Sequence, residues 1–359
     1  MKKTLTLVLM TAFILLTLTG CTGTTVVVGV DCTCAPSVVT EAPQPTPAVD
    51  VQNSVKTGMA FITNVGGSTS ALPDKAGEAK YDVTIAAVTL NESGRILSCI
   101  VDSVPASVKF DATGAIVTDL NAPIKTKNEQ GSAYGMVAYG KAIAEWDQQV
   151  AALCKFAVGK TVDELRNGAI DNSGYAPKDS DLASSATIHL GGYIDAIEKA
   201  AANAKHLGAK ASDEPVLSIE ATIGSSVPAS AEKAGSAQLD VTAALITKNS
   251  GVITSCYIDA LQSKIAFDAA GTITSDLSLP VQTKNELGTK YNMVLYGRAI
   301  AEWDVQTASF ASYVTGKTLD EVMGISVTES AKPADGTDLS ASVTIAIDDF
   351  QKLIAKAMQ

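Results

Sequence analysis

Histidine and positive charge are both scarce in this chain of 359 residues. Its two histidines, His189 and His206, are too few and too far apart for a metal cluster or for an acid–base mechanism repeated along the chain. Only 27 lysines and arginines stand against 38 aspartates and glutamates, a formal net charge of −11. This balance argues against nucleic acid or an anionic lipid surface as a partner. The P-loop, nucleophile-elbow and HExxH motifs are missing as well.

The cysteines do not predict a disulfide framework. Cys99 and Cys256 occupy matching places in apolar runs, and we interpret both as buried thiols that pack as small hydrophobic side chains. Cys154 is interpreted as a core residue of a helix. Cys32 and Cys34 lie in a Pro- and Thr-rich stretch, where a bridge between residues so close in sequence would be strained.

A long uncharged apolar run is present at the N-terminus. It ends in Leu18-Thr-Gly-Cys21, which resembles a bacterial lipobox. This predicts a signal peptide (1–20), lipid attachment at Cys21, and a tether (21–56) that holds the folded part at the extracellular face of the cell membrane. A plain secretory signal with a chance cysteine is the alternative. Whether the released signal fragment acts as a peptide signal is left open.

The rest of the chain contains one unit twice. Four segments recur 157 residues later, the longest being Tyr139-Gly-Lys-Ala-Ile-Ala-Glu-Trp-Asp147 and Tyr296-Gly-Arg-Ala-Ile-Ala-Glu-Trp-Asp304. The repeat predicts two domains, copy 1 (57–206) and copy 2 (214–359), joined by a short linker over 209–215. Because each copy is long enough to bury a core, we expect each to fold alone.

Each copy shows the pattern of an α+β fold, an antiparallel sheet covered by helices. In copy 1, β-branched runs over 82–90 and 95–104 flank a turn sequence and predict a hairpin. Apolar residues at three- and four-residue spacing predict one helix over about 130–156. Trp146 and Trp303 are interpreted as core residues. Each copy is expected to end in a strand-like piece and a helix.

A hydroxyl-rich motif precedes the last predicted helix of both copies. It reads Ser184-Ser-Ala-Thr187 in copy 1 and Ala341-Ser-Val-Thr344 in copy 2. Taken alone, such a stretch is typical of a helix N-terminal cap. A hydroxyl at that place also suits a phosphate, because free helix N–H groups and the positive end of the helix dipole lie there.

With the loops Thr126-Lys-Asn-Glu-Gln-Gly131 and Thr283-Lys-Asn-Glu-Leu-Gly288, these motifs resemble the FMN-binding domain family. Its members carry FMN through a phosphoester on the threonine of an S-G-A-T motif. The paired copies are similar to the two-domain, covalently flavinylated surface electron-transfer lipoproteins of Gram-positive bacteria. The chain departs from the family pattern at Ser185 and Ser342, where the family has glycine, and at Val343, where it has alanine.

The resemblance implies a set of FMN-binding residues. Thr187 and Thr344 would carry the phosphoester, beside Ser185 and Ser342. Loop residues would meet the polar edge of the flavin ring, and a tyrosine and a methionine after each loop would form one wall of its slot. These residues are Asn128, Glu129, Tyr134 and Met136 in copy 1, and Asn285, Glu286, Tyr291 and Met293 in copy 2.

The resemblance also implies an electron carrier rather than an enzyme that turns over a substrate. Up to two covalent FMN groups would be loaded by an FAD-dependent flavin transferase. Electrons would come from a membrane quinol-linked donor and pass to an extracellular acceptor. The alternative class is a cofactor-free binding or adhesion lipoprotein of two α+β modules. Yellow colour that survives denaturation would distinguish the two.

Overall fold

Copy 1 forms a four-stranded antiparallel sheet in the computed structural model, which describes residues 53–359. The strands, in the order β3-β2-β1-β4, are β1 (Ser54–Asn64), β2 (Gly77–Leu90), β3 (Ile96–Phe110) and β4 (Lys205–Lys210). The predicted hairpin is confirmed as β2 and β3. Its turn closes because Gly94 takes a φ of 75° and the Asn91 side chain accepts bonds from the backbone N–H groups of Ser93 and Arg95.

Copy 2 repeats the three-stranded part of this sheet. Its strands, in the order β5-β6-β7, are β5 (Glu214–Thr222), β6 (Gly235–Asn249) and β7 (Val252–Phe267). Within the linker predicted over 209–215, the connection itself is a tight turn over 211–213, because β4 continues to Lys210 and β5 begins at Glu214. The edge strand β4 pairs with β1, so the junction of the copies is part of a sheet.

Helices cover each sheet, which confirms the α+β class. Those of copy 1 are α1 (Lys127–Gln130), α2 (Met136–Gly140), α3 (Trp146–Ala157), α4 (Val162–Ala169) and α5 (Gly191–Ala202). Those of copy 2 are α6 (Lys284–Leu287), α7 (Met293–Gly297), α8 (Trp303–Val314), α9 (Leu319–Met323) and α10 (Asp348–Met358). No helix in residues 53–359 is long and apolar enough to cross a membrane.

The single helix expected over 130–156 is wrong. A 3-10 turn (Gly131–Tyr134) and a loop divide the segment, because Gly131, Gly135 and Lys141 take φ values of 48°, 79° and 53° that no helix continues through. The strand-like piece expected before the last helix is also wrong, since 185–190 is irregular and precedes α5 directly.

The two sheets pack face to face and share one core. Alternate residues of β2 and β3 contact alternate residues of β6 and β7, as the two-residue period of a strand requires. Phe110 stacks on Phe267 with ring centroids 4.0 Å apart, and the Tyr81 hydroxyl donates to the carbonyl of Ala237 at 2.9 Å. The expectation that each copy encloses a complete core of its own is therefore wrong, and residues 53–359 belong to one compact unit.

The outer face of each sheet packs against the helices of its own copy. Trp146 and Trp303 are confirmed as core residues of these clusters, with 2% and 6% of their surface exposed. The layers run helix, sheet, sheet, helix. The signal peptide, Cys21, Cys32, Cys34 and almost all of the tether lie outside the described residues, although β1 begins at Ser54, inside the predicted tether.

Candidate functional site

Thr187 and Thr344 lie on equivalent loops that a buried glutamine holds in place. The side-chain carbonyl of Gln149 (α3) accepts bonds from the N–H groups of Thr187 at 2.8 Å and Ile188 at 3.2 Å, and from the Thr187 hydroxyl at 3.3 Å. In copy 2, Gln306 accepts from the N–H of Thr344 at 2.8 Å and from its hydroxyl at 3.2 Å. Both glutamines are fully buried. We call this arrangement, a buried glutamine carbonyl that accepts from the threonine loop, the glutamine clamp. The bonds from the backbone N–H groups are shorter than the bond from the hydroxyl, so the backbone bonds hold the loop.

The hydroxyl-rich motif does not cap the last helix. Helix α5 begins at Gly191, four residues after Thr187, and its N-cap residue Leu190 makes no side-chain bond. Thr187 and Ser185 are exposed, whereas Ser342 and Thr344 are half-buried. The interpretation of these threonines as caps is therefore wrong, and the copy 1 loop carries exposed hydroxyl residues where those of copy 2 are half-buried.

Each Lys-Asn-Glu loop is fastened to a buried carboxylate on the neighbouring strand. Asp102 (β3) accepts from the N–H of Asn128 at 3.1 Å, and Asp259 (β7) accepts from the N–H of Asn285 at 3.1 Å. Burial raises the pKa of Asp102 above its ordinary value and that of Asp259 to about 6, against the lowering effect of these hydrogen bonds. Both asparagine side chains donate to strand carbonyls. The asparagines therefore anchor the loops.

Glu129 and Glu286 connect the two copies. Each accepts from the N–H of the threonine that begins its loop, completing a capping box. Glu129 also pairs with Lys356 of α10, and Glu286 pairs with Lys199 of α5, so each ion pair crosses between copies. Burial would raise the pKa of Glu129, but its bonds to Lys356 and Thr126 outweigh that effect and hold the pKa below the ordinary value. These carboxylates have partners within the protein rather than a ring edge to meet.

Lys127 lies under an aromatic lid beside the copy 1 loop. Its ammonium group is 5.4 Å from the ring centroid of Tyr134 and 5.0 Å from that of Trp146, and it pairs with Asp82 at 3.4 Å. Burial lowers the pKa of Lys127, but attraction to Asp82 outweighs it and the pKa lies above the ordinary value. In copy 2, Lys284 lies under the equivalent rings of Tyr291 and Trp303.

The methionines expected in a flavin wall pack inward. Met136 and Met293 contact the helix–sheet cluster of their own copies, as do Tyr134 and Tyr291. The Glu145 carboxylate accepts from the N–H groups at the start of α2, at 2.8 and 3.1 Å. The structure therefore places these four side chains in the packing between helix and sheet.

A cavity of about 1280 Å³ lies beside the Thr344 loop, between β7, α8 and residues 203–207. Of the predicted residues, Ser342, Asn285 and Glu286 line it. The side-chain carbonyl of Asn285 and one carboxylate oxygen of Asp304 are buried there and accept no hydrogen bond from the described residues. Both oxygens have almost no surface accessible to water, although the two residues line the cavity with other atoms. Thr344 itself does not line the cavity and is reached through Ser342.

Sequence reasoning missed Asp259 and Asp304 as lining residues. The signal that identifies both is their recurrence in copy 1, as Asp102 and Asp147. One carboxylate oxygen of Asp147 is likewise buried and accepts no bond within 53–359. The paired acidic positions are therefore a property of the repeat unit.

Within 53–359, no group of three or more histidine, cysteine, aspartate or glutamate side chains is arranged to hold a metal ion. His189 packs its ring edge-on against Tyr175, with centroids 5.2 Å apart. A scan against protein-family models finds no match to the chain, and searches of curated proteins and of solved structures find no significant similarity.

Proposed function

We propose that the protein is a lipid-anchored electron carrier outside the cell membrane, with covalent FMN on Thr187, on Thr344 or on both. The observation that supports this is the duplicated glutamine clamp, which holds each threonine through its backbone N–H, with Thr187 exposed and Thr344 half-buried. If the hydroxyl of each threonine served only to hold the loop, we would expect it to make a short hydrogen bond. Instead it makes the longest of the bonds to the glutamine.

The residues present fit a phosphoester at these positions. Esterification removes the hydroxyl hydrogen and with it the bond of 3.3 Å to Gln149, while the N–H groups of Thr187 and Ile188 keep the shorter bonds. The loop would therefore hold its conformation after modification. In copy 2 the nearby cavity has room for a flavin ring.

A bound flavin would supply the electron-transfer chemistry, and the chain would hold and insulate it. The threonines would hold the phosphate, and the glutamine clamps would keep each attachment loop ordered. A separate FAD-dependent transferase would load the sites, as in the family that the motifs resemble. The donor would be a membrane quinol-linked protein and the acceptor an extracellular one.

A second candidate function is supported by exposed apolar side chains on α2, α7 and the loops after them. Tyr139 and Tyr296 are 90% and 81% exposed, and Ile143 and Ile300 accompany them. Such side chains are typical of contact surfaces. If the protein carries no flavin, these side chains favour a cofactor-free binding module. If it carries flavin, they would form the docking surface for the electron donor or acceptor.

The test is co-expression with a flavin transferase, followed by intact mass and peptide mapping. We expect up to two FMN increments, on the peptides that contain Thr187 and Thr344, and yellow colour that persists after denaturation. Thr187→Val and Thr344→Val should each remove one increment, while Ser184→Ala, a control hydroxyl on the same loop, should remove none. An unmodified wild type, under conditions that load a known flavoprotein, would contradict the proposal and leave the binding module.

A further inference from the structure

Strand β4 of copy 1 lies beside the sheet of copy 2. It pairs with β1, where Lys56 stands opposite His206. Gly208 of β4 takes a φ of 105°, and a Cβ atom at this position would stand 2.8 Å from the carbonyl oxygen of Thr254 on β7. Glycine suits both this backbone conformation and so close an approach, because it has no Cβ atom. Gly208 therefore lets β4 lie against β7, which is an edge strand of its sheet.

The cavity of about 1280 Å³ beside the Thr344 loop has β4 as one of its walls. Residue 203 and residues 205–207 line it from copy 1, and all of its other lining residues belong to copy 2. Ser342 lines the cavity two residues before Thr344, and the residues on either side of Gln306 in α8 line it as well. The cavity therefore borders the glutamine clamp of copy 2.

The lining of this cavity suits a flat, uncharged ring. Its apolar lining residues are Cys256, Ile258, Ala308, Ala311 and Leu339. Carboxylates line it too, and two of them already have partners, since Asp259 accepts from the N–H of Asn285 and Glu286 pairs with Lys199. The oxidised flavin ring carries no charge, so its binding here would depend on shape and apolar contact rather than on ion pairing.

The threonine loop of copy 1 has no such wall among the described residues. The sheet of copy 2 has three strands against four in copy 1, so within 53–359 copy 2 contributes no strand equivalent to β4. The predicted burial of both matching thiols is confirmed for Cys256, which is 5% exposed, but Cys99, its counterpart on β3, is half-buried. Thr187 is likewise exposed where Thr344 is half-buried. The attachment loop of copy 1 therefore lies in more open surroundings.

We propose that β4 makes the two attachment sites unequal. The ring of an FMN on Thr344 lies in the cavity under β4, whereas the ring of an FMN on Thr187 lies at the surface. If the proposed function on which this depends holds, copy 1 supplies part of the flavin site in copy 2. The copy 1 flavin would then be the one that meets partner proteins, and the copy 2 flavin would be shielded from water.

Two tyrosines of the cavity can report where the ring lies. Tyr257 and Tyr313 both line it, and copy 1 has no tyrosine at the equivalent positions, Ile100 and Phe156. A phenol in contact with a flavin ring quenches its fluorescence, because it donates an electron to the excited ring and then recovers it. The fluorescence of the copy 2 flavin should therefore rise when both tyrosines are replaced by phenylalanine, and that of the copy 1 flavin should not.

The test compares proteins that each carry one flavin. The full chain is co-expressed with a flavin transferase as Thr187→Val, which leaves the copy 2 site, and as Thr344→Val, which leaves the copy 1 site. Intact mass confirms one increment in each. Quenching by iodide, which reaches rings open to water, should be several-fold weaker for the copy 2 flavin. Tyr257→Phe combined with Tyr313→Phe should raise the fluorescence of that flavin alone, and after denaturation the two proteins should be quenched equally.

Variants in β4 test the wall itself. Gly208→Val places a side chain against Thr254, pushes β4 away from β7 and should increase iodide quenching of the copy 2 flavin. Lys210→Ala, on the same strand but outside the cavity lining, is the matched control and should leave the quenching unchanged. If Gly208→Val does not fold, Leu207→Ala, which removes part of the wall, takes its place.

The mass measurement separates failure of the proposed function from failure of the unequal sites. A chain without mass increments overturns both. With increments present, equal iodide quenching of the two flavins, or a fluorescence that does not respond to the tyrosine variants, overturns only the placing of the copy 2 ring under β4. Unchanged quenching in a folded Gly208→Val overturns the role of β4 as its wall.

Discussion

At the scale of single residues, the buried glutamine of each clamp contributes more to stability than the threonine it holds. Gln149→Leu keeps the size of the side chain and leaves the N–H groups of Thr187 and Ile188 without their acceptor. We expect a loss of about 1–3 kcal/mol in the free energy of unfolding. Thr187→Val, which removes only the longest of the three bonds to Gln149, should cost less than about 1 kcal/mol.

Urea denaturation measures both losses, and hydrogen exchange at Thr187 and Ile188 should quicken in Gln149→Leu alone. Equal losses in the two variants would mean that the hydroxyl, rather than the backbone, is held by the clamp. Gln306→Leu is the matched variant in copy 2 and should quicken exchange at Thr344, because Gln306 accepts the same two bonds from that threonine.

Asp259 gives the protein a pH dependence of predictable sign. Its pKa in the folded state is about 6, against an ordinary value near 4, because burial disfavours the charge. The folded state therefore binds the proton more tightly than the unfolded state does. The resulting stabilisation is fully present below about pH 4 and is lost as the pH rises through about 6, a change of roughly 2–3 kcal/mol.

The variant Asp259→Asn keeps an oxygen that accepts from Ala260 and Asn285 and removes the charge. We expect it to be more stable than the wild type at pH 8 and to flatten the stability profile between pH 4 and 7. Guanidinium denaturation at a series of pH values measures this. A wild-type profile that rises steadily across that range, unchanged by the substitution, would contradict the assignment.

At the scale of elements, the sequence predicted the hairpin and the helical ends of the copies but not the breaks in 130–156. The apolar spacing there continues through Gly131 and Gly135, so periodicity alone reads as one helix. What ends it is backbone conformation, since Gly135 takes a φ of 79°. The copies show the requirement directly, because Asn292 holds the equivalent place with a φ of 63°.

This equivalence predicts how Gly135 tolerates substitution. Gly135→Asn should be close to the wild type in stability, since asparagine already adopts the left-handed conformation in copy 2. Gly135→Val should cost about 1–2 kcal/mol, because a β-branched side chain is disfavoured at positive φ. Chemical denaturation of the two variants checks this, and a valine variant as stable as the asparagine variant would show that the backbone shifts freely at this position.

For the candidate site, the sequence identified the loops but not their partners. Asn128 and Glu129 were predicted to meet a ring edge, and the structure joins one to Asp102 and the other to Lys356, which lies 227 positions further along the chain. Contacts between copies leave no local pattern in the sequence, because a repeat shows what recurs and not what the recurring units touch. The structure defines the geometry of the two threonine loops, and FMN attachment to them stays a prediction.

At the scale of the whole molecule, the face-to-face sheets decide whether a copy can exist alone. The inward faces of β2 and β3 are apolar because they pack against the inward faces of β6 and β7. The ion pairs that Lys199 and Lys356 make with Glu286 and Glu129 also join the two copies. A separated copy would expose the whole inner face of its sheet to water. The length of the repeat suggested one hydrophobic core in each copy. The structure has three, namely one between the helices and the sheet of each copy and one that the two sheets share.

We therefore expect residues 53–212 alone to aggregate, or to form a dimer that substitutes a second copy 1 sheet for that of copy 2. Co-expression with residues 213–359 should restore a monodisperse heterodimer. Light scattering and a thermal melt of each segment, and of the pair, measure this. Phe110→Ala in the full chain should cost about 3–5 kcal/mol, because it removes a ring stacked at 4.0 Å in the shared core. Tyr139→Ala, which alters a 90% exposed ring, is the control and should cost little. A monomeric, cooperatively melting segment 53–212 would mean that the helix-covered face alone stabilises a copy, and that the contact between the sheets joins two finished domains.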